Sequence, residues 1–484
     1  MAVAGSDPST LAQVLQQQAR LRGDAVALHF GDERITYAAL DTRARRVATL
    51  LSRQWGVQAG DRVAWLGLND PALLVLLFAL ARVGAMLLPL NIRLAPAEWQ
   101  QQLDACTPRC LVHDAAFAEA ARALGGAHAL HATAELDAAV DPMDEDRAAA
   151  SVPALLVFTS GTTSRPKAAV HTQANLVANM RIAAQVQAIT PRDRVLTVLP
   201  LFHVGGLCIQ TLPALSAGAT VLLQPRFMPD ATLQAIAGER PTLTLQVPAT
   251  LKALIEHPAW ANTDLSSLRA VWAGSSLLPA SLLHAFHARG VPVCNVYGAT
   301  ETGPFSIALG PQEAMQRVGS CGWPAPGVEM QLAEGGEVWV RGPNVVARYW
   351  PDEPALDAQG WFHTGDLATR DADGACTIVG RAKDLIISGG ENIHPAEIEA
   401  VLGEHPAVLE CAAFGLPDAH WGEAVAVAVV LRPASGASDD ELRAHLAARL
   451  ARFKLPRHWL RVEQLPKTAL GKVQRHELVK RLRG

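Results

Sequence analysis

The strongest local candidate for a functional site in this sequence is a turn rich in hydroxyl groups. It is the segment FTSGTTSRPK at residues 158–167. Its residues able to face an anion are Thr159, Ser160, Gly161, Thr162, Thr163 and Lys167. Glycine lets backbone N–H groups approach an anion, hydroxyls add neutral donors, and the ammonium adds charge. We therefore predict a polyphosphate site. An ordinary polar turn stays open as the alternative, and the spacing is not that of a Walker motif.

Two later loops carry carboxylates that suit the rest of a nucleotide. In VYGATETG, residues 296–303, Glu301 follows Thr300, and Mg²⁺ commonly takes one or two carboxylates together with phosphate oxygens. Tyr297 in the same loop could stack on a base. In WFHTGDLA, residues 361–368, Asp366 could accept hydrogen bonds from ribose hydroxyls. A solvated glutamate and an Asx-turn are the alternatives.

Lysine is rare in this chain, which makes its positions informative. Lysine and arginine total 42, and only seven of these residues are lysine. Lys167, Lys383 and Lys472 each lie in a glycine-containing segment, where a compact, mobile ammonium offers something that a planar guanidinium does not. Chance is the better explanation for any single lysine, but the functional interpretation gains weight for these three.

The elements that must position these loops alternate between strand and helix through the first 380 residues. Apolar runs predict strands at residues 62–67, 152–157, 195–200 and 219–224, and amphipathic spans predict helices at 11–22, 37–54 and 175–188. This alternation predicts α/β layers with largely parallel strands and ligands at the strands' carboxyl ends. The last hundred residues predict a small α+β unit. We expect a large domain over 1–380 and a small one over 384–484.

Composition excludes several classes of protein. A chain of 484 residues exceeds what one hydrophobic core usually organises, and a net charge of −4 offers no basic surface for nucleic acid. Seven cysteines, an odd number, favour reduced thiols in the cytoplasm over a disulfide framework. No signal-peptide pattern is present. The apolar stretch 71–90, interrupted by Arg82 and Gly84, predicts a buried helix leading into a strand, not a transmembrane segment.

Taken together and in this order, the motifs resemble the adenylate-forming superfamily of acyl-CoA synthetases, peptide-synthetase adenylation domains and luciferases. The similarity extends from TYAALD at residues 36–41 to Lys472. The segments SGGENIHPAEIE, residues 388–399, and LARFKLPR, residues 450–457, look most like bacterial fatty-acid and aromatic-acid CoA ligases. The resemblance implies that the small α+β domain is mobile and rotates about a hinge at residues 381–383.

The resemblance also implies how ATP would be bound. Residues 159–167 would surround its β- and γ-phosphates. The adenine would be lined by Gly274, Ser275, Ser276, Asn295, Tyr297 and Gly298. Thr300 would contact the α-phosphate, and Glu301 would hold Mg²⁺. Asp366 and Arg381 would bind the ribose.

Catalytic and acyl-binding roles follow from the same resemblance. Lys472 would reach the carboxylate and the α-phosphate during adenylation, and Lys383 would be the hinge residue. Gly389 and Gly390 would line the tunnel for the pantetheine of CoA. The acyl pocket would include His203, Val204, Gly205 and Gly303, with His203 at its mouth.

Three positions depart from the pattern of the family. Ser164 and Ala168 stand where the family usually has glycine, which the backbone tolerates if φ is negative there. Arg348 replaces the glycine of a usual Gly-Tyr-Trp, which puts the local loop geometry in question and not the chemistry.

These residues predict an AMP-forming acid–thiol ligase that uses ATP, Mg²⁺ and CoA. The predicted pocket stretches at residues 203–206, 246–251, 273–275 and 303–305 contain no Lys or Arg to pair with a second carboxylate. A fatty acid and a benzoic or hydroxycinnamic acid both fit such a pocket. Two alternatives stay open: an enzyme that loads the phosphopantetheine of a carrier protein, and a nucleotide-binding protein without catalysis. For the oligomeric state, a homodimer stays open.

Overall fold

The structure is a computed structural model that describes residues 7–124, 128–146, 148–159, 167–274, 278–388, 391–418, 420–433, 435–467 and 472–483. The chain divides into a larger and a smaller unit. The first contains Met1–Leu278, Leu282–Met330 and Val340–Phe362, and the second contains Pro279–Ser281, Gln331–Trp339 and His363–Gly484. The predicted α/β class with a large and a small unit is confirmed. The hinge expected at residues 381–383 is a statement about domain motion, so it stays a prediction.

The helices lie close to the amphipathic spans of the sequence. They are α1 Leu11–Arg22, α2 Tyr37–Thr49, α3 Pro71–Val83, α4 Pro96–Cys106, α5 Ala118–Ala123, α6 Gln173–Val186, α7 Val204–Gly206, α8 Leu212–Ala217, α9 Pro229–Glu239, α10 Pro248–Ile255, α11 Ala280–His287, α12 Pro311–Ala314, α13 Pro395–Gly403, α14 Asp439–Ala447 and α15 Arg475–Arg483. A π-helical segment, Leu50–Gln54, extends α2, and another, Leu207–Thr211, joins α7 to α8.

The strands are shorter and more numerous. They are β1 Val26–Phe30, β2 Glu33–Thr36, β3 Arg62–Leu66, β4 Met86–Pro89, β5 Cys110–His113, β6 Ala129–Ala132, β7 Pro153–Thr159, β8 Lys167–Thr172, β9 Arg194–Thr197, β10 Thr220–Leu223, β11 Leu243–Gln246, β12 Ala270–Gly274, β13 Val293–Tyr297, β14 Ile307–Ala308, β15 Trp323–Pro324, β16 Glu329–Leu332, β17 Glu337–Arg341, β18 Arg348–Tyr349, β19 Glu353–Pro354, β20 Phe362–Arg370, β21 Cys376–Arg381, β22 Ile386–Ser388, β23 Glu391–Ile393, β24 Val408–Asp418, β25 Gly422–Leu431 and β26 His458–Arg461.

Two large sheets organise the first unit. One has the order β15-β14-β13-β12-β11-β9-β10-β1-β2, and the other has the order β19-β18-β8-β7-β4-β3-β5-β6. The central strands of each pair in parallel, as the strand–helix alternation predicts. Antiparallel strands complete the edges, among them β8, which pairs with β7, and β18, which pairs with β8.

The apolar stretch at residues 71–90 forms a buried helix and a strand, as predicted. The Asp70 carboxylate caps α3 by accepting from the Ala72 N–H at 2.7 Å. Gly84 ends the helix with φ 85°, a left-handed conformation that glycine adopts readily. Arg82 is buried and pairs with Asp41 at 3.3 Å. Within the described residues, no helix is long and apolar enough to cross a membrane.

The second unit contains a small mixed sheet with apolar side chains on both faces. Strands β23, β22, β25 and β24 are neighbours in that order, and β26 pairs with β25 in parallel. One face packs on α13 and α14 through Ile398, Leu402, Leu442 and Leu446. The other face packs on α15 through Leu478. Strands β20 and β21 form an antiparallel pair in the same unit.

Candidate active site

The hydroxyl-rich turn begins and ends on two neighbouring antiparallel strands. Thr159 is the last residue of β7 and Lys167 the first of β8, and the two lie opposite each other in the ladder. The Thr159 hydroxyl donates to the Lys167 carbonyl at 3.4 Å. Residues 160–166, and with them the predicted Ser160, Gly161, Thr162 and Thr163, lie outside the described residues. The strands nevertheless fix both ends of the turn.

The Lys167 ammonium is held by two side chains from the edge strands. It pairs with the Glu353 carboxylate and lies 5.2 Å from the centroid of the Tyr349 ring. The Tyr349 hydroxyl donates to Glu301 Oε1 at 2.9 Å. Burial and, after it, the Glu301 and Glu353 carboxylates raise the pKa of Tyr349, so its phenol stays protonated and remains a donor. Four side chains therefore connect the end of the turn to the loop after β13.

Glu301 is positioned by a short 3₁₀ helix, Thr300–Thr302, that follows β13. The Val346 N–H donates to its carbonyl at 2.8 Å, which ties the loop to the segment before β18. In the part of the chain that the structure describes, no three His, Cys, Asp or Glu side chains cluster as metal ligands. A Mg²⁺ ion at Glu301 would take its other ligands from phosphate and water, as this ion prefers. The donor set therefore fits Mg²⁺ bound together with a nucleotide.

The residues predicted to line the adenine lie at the ends of two adjacent parallel strands. Gly274 at the end of β12 pairs with Val296 of β13, and Asn295 and Tyr297 lie on either side of that valine. A side chain at Gly298 would place its Cβ 1.9 Å from the Pro304 carbonyl oxygen, so this close approach of two chain segments requires glycine. Ser275 and Ser276 lie outside the described residues.

The predicted acyl-pocket residues come from two segments that meet at one asparagine. His203 caps α7, its Nδ1 accepting from the Gly205 N–H at 3.0 Å, and Val204 is buried. Gly303 ends the 3₁₀ helix with φ 84°. Asn179 of α6 donates to the Cys208 carbonyl at 2.7 Å, and its Oδ1 would lie 3.1 Å from a Cβ at Gly303. Asn179 therefore bonds the segment after His203 and lies close to the glycine loop.

In the second unit, the two residues predicted to bind the ribose pair with each other. Asp366 of β20 lies opposite Arg381 of β21, and Arg381 Nε donates to Asp366 Oδ1 at 2.7 Å. Lys383 follows in a 3₁₀ helix, Ala382–Asp384. Burial lowers the pKa of Lys383, and the Asp384 carboxylate offsets this only in part. Gly389 and Gly390, predicted for the CoA tunnel, are outside the described residues.

Lys472 lies beside a tightly anchored segment of the second unit. Val473 bridges to Lys467 in an antiparallel arrangement, and the Gln474 N–H donates to the Pro466 carbonyl at 2.8 Å. The Arg475 guanidinium pairs with Glu399 at 2.7 Å and with Asp384 at 3.2 Å. It also donates to the Ala413 carbonyl at 3.0 Å.

Sequence reasoning missed four residues that organise these sites: Tyr349, Glu353, Asn179 and Arg475. Tyr349 could have been noticed, because the chain has only three tyrosines and this one follows an unusual arginine. Nothing in the sequence pairs Glu353 with Lys167 or Asn179 with Gly303, because these partners are far apart along the chain.

The departures from the family pattern are accommodated locally where the structure describes them. Ala168 is buried within β8 and is absent from the described non-glycine residues with positive φ, as its tolerance requires. Arg348 donates to the Pro351 carbonyl at 2.6 Å and pairs with Asp352 at 3.2 Å, so its side chain is held within its own hairpin. Ser164 is not among the described residues.

Comparison with known proteins agrees with this geometry. The model of the AMP-binding enzyme family matches residues 15–350, and that of the AMP-binding enzyme C-terminal domain matches 397–472. An indoleacetate–CoA ligase of Aromatoleum aromaticum is 41% identical over 97% of each chain. A feruloyl-CoA synthase of an Amycolatopsis species is 40% identical over 96% of this chain and 97% of its own. The o-succinylbenzoate CoA synthetase of Bacillus subtilis, solved with its acyl-adenylate intermediate, superposes with a TM-score of 0.88 at 32% identity, covering 96% of this chain and 97% of the other.

The chain therefore belongs to the AMP-binding enzyme family. It is an acid–thiol ligase that proceeds through an acyl adenylate and uses ATP, Mg²⁺ and CoA. Its substrates are small molecules: a carboxylic acid, ATP and CoA.

Proposed function

We propose that the protein is a CoA ligase for an aromatic carboxylic acid. The observation that carries its nucleotide chemistry is the line of side chains from Lys167 through Tyr349 to Glu301, at the end of the hydroxyl-rich turn. An ammonium and a carboxylate held this way suit a triphosphate and its Mg²⁺ counterion.

In the first half-reaction, the substrate carboxylate attacks the α-phosphorus of ATP and pyrophosphate leaves. Both reactants are anionic, so the barrier depends on neutralising charge around the phosphorus. Mg²⁺ held by Glu301 would neutralise charge on the phosphate oxygens. Lys167 would bind the leaving phosphates, Thr300 the α-phosphate, and Lys472 the developing charge between acid and phosphate.

In the second half-reaction, the CoA thiolate attacks the acyl carbonyl and AMP leaves. Lys472 has no role in this step, and the face that carries Gly389 and Gly390 would be needed instead. We therefore propose a rotation of the small domain about Lys383 between the two steps, a hinge movement. Asp366 and Arg381 would keep the ribose of AMP bound.

The class of acid is inferred from the pocket residues and from the relatives. His203 and Val204 stand beside two glycines in the sequence. Phe305 in the predicted pocket stretch 303–305 and Trp272 just before the stretch 273–275 are buried, with ring centroids 5.7 Å apart. The indoleacetate and ferulate named for the two relatives are both aromatic acids. These observations favour an aryl acid over a fatty acid.

A substrate panel tests the proposal. Purified protein is incubated with ATP, Mg²⁺ and CoA together with indoleacetate, ferulate, benzoate, 2-succinylbenzoate or fatty acids of several lengths, and AMP and thioester are measured. We expect kcat/KM for at least one aryl acid to exceed that for every fatty acid by tenfold or more, since about 1.4 kcal/mol of pocket complementarity suffices. A preference for fatty acids would overturn the assignment.

The same assay decides the acceptor. Replacing CoA with a carrier protein bearing phosphopantetheine should give much less thioester, and the reverse result would support the carrier-loading alternative. Nucleotide binding that needs no carboxylic acid and releases no pyrophosphate would support the non-catalytic alternative.

We also propose a cytoplasmic location, supported by seven free cysteines, six of them buried. A homodimer stays a prediction, which light scattering would test.

A further inference from the structure

Tyr349 serves two partners with two different parts of its side chain. The ring lies under the Lys167 ammonium at 5.2 Å, within the range of a cation–π contact. The hydroxyl donates to Glu301 Oε1 at 2.9 Å, a charge-assisted hydrogen bond. One side chain therefore fixes both an ammonium and a carboxylate that come from distant parts of the chain.

The backbone around Tyr349 is tied to the strand that carries Lys167. Tyr349 pairs with Ala169 of β8, and the Trp350 N–H donates to the Ala168 carbonyl at 2.8 Å. The Trp350 indole N–H donates to the Ala105 carbonyl at 3.1 Å. The phenol is thus presented by a strand pair and not by a free loop, as a residue that positions others requires.

A carboxylate that serves as a single metal ligand gains from a partner on its second oxygen. A donor to one oxygen restricts rotation of the group and orients the other oxygen for the ion, and loss of such partners commonly weakens metal binding. Tyr349 is in place to do this for Glu301. Its ring at the same time limits where the Lys167 ammonium can move.

We infer that Tyr349 is a positioning residue for Mg²⁺-dependent nucleotide binding. Its hydroxyl orients the Glu301 carboxylate, and its ring face holds the Lys167 ammonium, so the two charged groups keep a fixed relation before ATP arrives. This inference rests on the proposed roles of Glu301 and Lys167. It assigns the hydroxyl and the ring separate, measurable effects.

Two substitutions separate the effects. Tyr349→Phe removes the hydroxyl and keeps the ring, while Tyr349→Leu removes both. Binding of α,β-methylene-ATP is measured by calorimetry in excess EDTA and across a Mg²⁺ titration. For Tyr349→Phe we expect unchanged binding in EDTA and a Mg²⁺ requirement raised about tenfold. For Tyr349→Leu we expect the same rise in the Mg²⁺ requirement. We also expect binding in EDTA to be about threefold weaker, the loss expected from a partly exposed cation–π contact.

Tyr37→Phe is the matched control. Its hydroxyl donates to the Ala219 carbonyl at 2.6 Å in the buried part of the first unit, remote in sequence from both charged groups. It should lower the melting temperature without changing the Mg²⁺ requirement. A purely structural role for the Tyr349 hydroxyl would produce this same pattern in Tyr349→Phe and would overturn the inference.

A double variant makes the test independent of folding. In a Glu301→Gln background, adding Tyr349→Phe should cause no further change in the Mg²⁺ requirement, because the oriented carboxylate is already absent. Additive effects would contradict the inference. Failure of the unchanged protein to bind the analogue with or without Mg²⁺ would instead reject the proposed function, so the two failures are distinguishable.

Discussion

At the scale of single residues, His171 is exceptional because its whole imidazole is buried without a partner. It lies on β8, and neither ring nitrogen has a hydrogen-bond partner among the described residues. Burial lowers the pKa of His171 to about 4. The folded protein therefore keeps this ring neutral in a pH range where the unfolded chain would protonate it.

This histidine should make the protein less stable in acid. Above about pH 6.5 both states are neutral and His171 has no effect on the pH dependence. As the pH falls toward about 4, only the unfolded chain gains a proton, and the free energy of unfolding drops by up to about 1.4 kcal/mol per pH unit. We expect His171→Leu to raise the urea midpoint at pH 5 more than at pH 8.

The exposed His458 provides the comparison for this prediction. His458→Gln should leave the difference between the urea midpoints at pH 5 and pH 8 as it is in the unchanged protein. Equal shifts of the His171→Leu midpoint at pH 5 and pH 8 would show that burial does not keep the ring neutral.

At the scale of elements, Arg475 joins parts of the second unit that the backbone alone does not. It connects α15 to Glu399 of α13, to Asp384 beside the proposed hinge residue and to a carbonyl of β24. The two carboxylates raise the pKa of Arg475 against the opposing effect of burial. Removing the guanidinium would leave both acids without this partner.

We therefore expect Arg475→Met to destabilise the second unit by about 2 kcal/mol, the range for a charged hydrogen-bonded group that is partly buried. Urea unfolding followed by hydrogen exchange of β24 and α13 measures this. Arg481→Met, an exposed change on the same helix, should have little effect. A loss of stability spread equally over both units would contradict the assignment.

Most elements could be predicted from the sequence because their signals are local. The α3 helix with the β4 strand, and the strand preceding the hydroxyl-rich turn, are each encoded in one apolar run. The exact ends are less predictable: the helix expected at residues 175–188 is observed as α6, Gln173–Val186, two residues earlier at each end. The site is less predictable because Lys167 meets Glu353, and Glu301 meets Tyr349, only after the edge strands pair. The site roles given by the family motifs stay predictions until they are measured.

At the scale of the whole molecule, the proposed mechanism divides the work of the small domain between two half-reactions. Lys472→Ala should slow acyl-adenylate formation by about 100-fold or more, the cost of removing one charge-stabilising group, and leave thioester formation from supplied acyl-adenylate unchanged. Separate assays of the two steps measure this. Lys480→Ala, an exposed lysine paired with Glu477, is the control. Equal loss in both steps would contradict the role.

The hinge is tested by restricting one backbone dihedral. Proline fixes φ, so Lys383→Pro should preserve adenylation and block transfer to CoA. Lys383→Ala removes the same ammonium and keeps the backbone free, so it should retain both steps. If the alanine and proline variants lose the same step to the same extent, the side chain and not rotation is responsible.

The pairing of Lys167 with Glu353 has a consequence for how nucleotide enters. If Lys167 binds the phosphates as proposed, an arriving triphosphate would have to replace Glu353 as its counterion. Both side chains are substantially exposed, at 32% and 53%, so the pair is worth at most about 1 kcal/mol and is readily displaced. On that role Glu353 would be a weak internal competitor, and after turnover it would pair with the lysine again and favour the release of pyrophosphate.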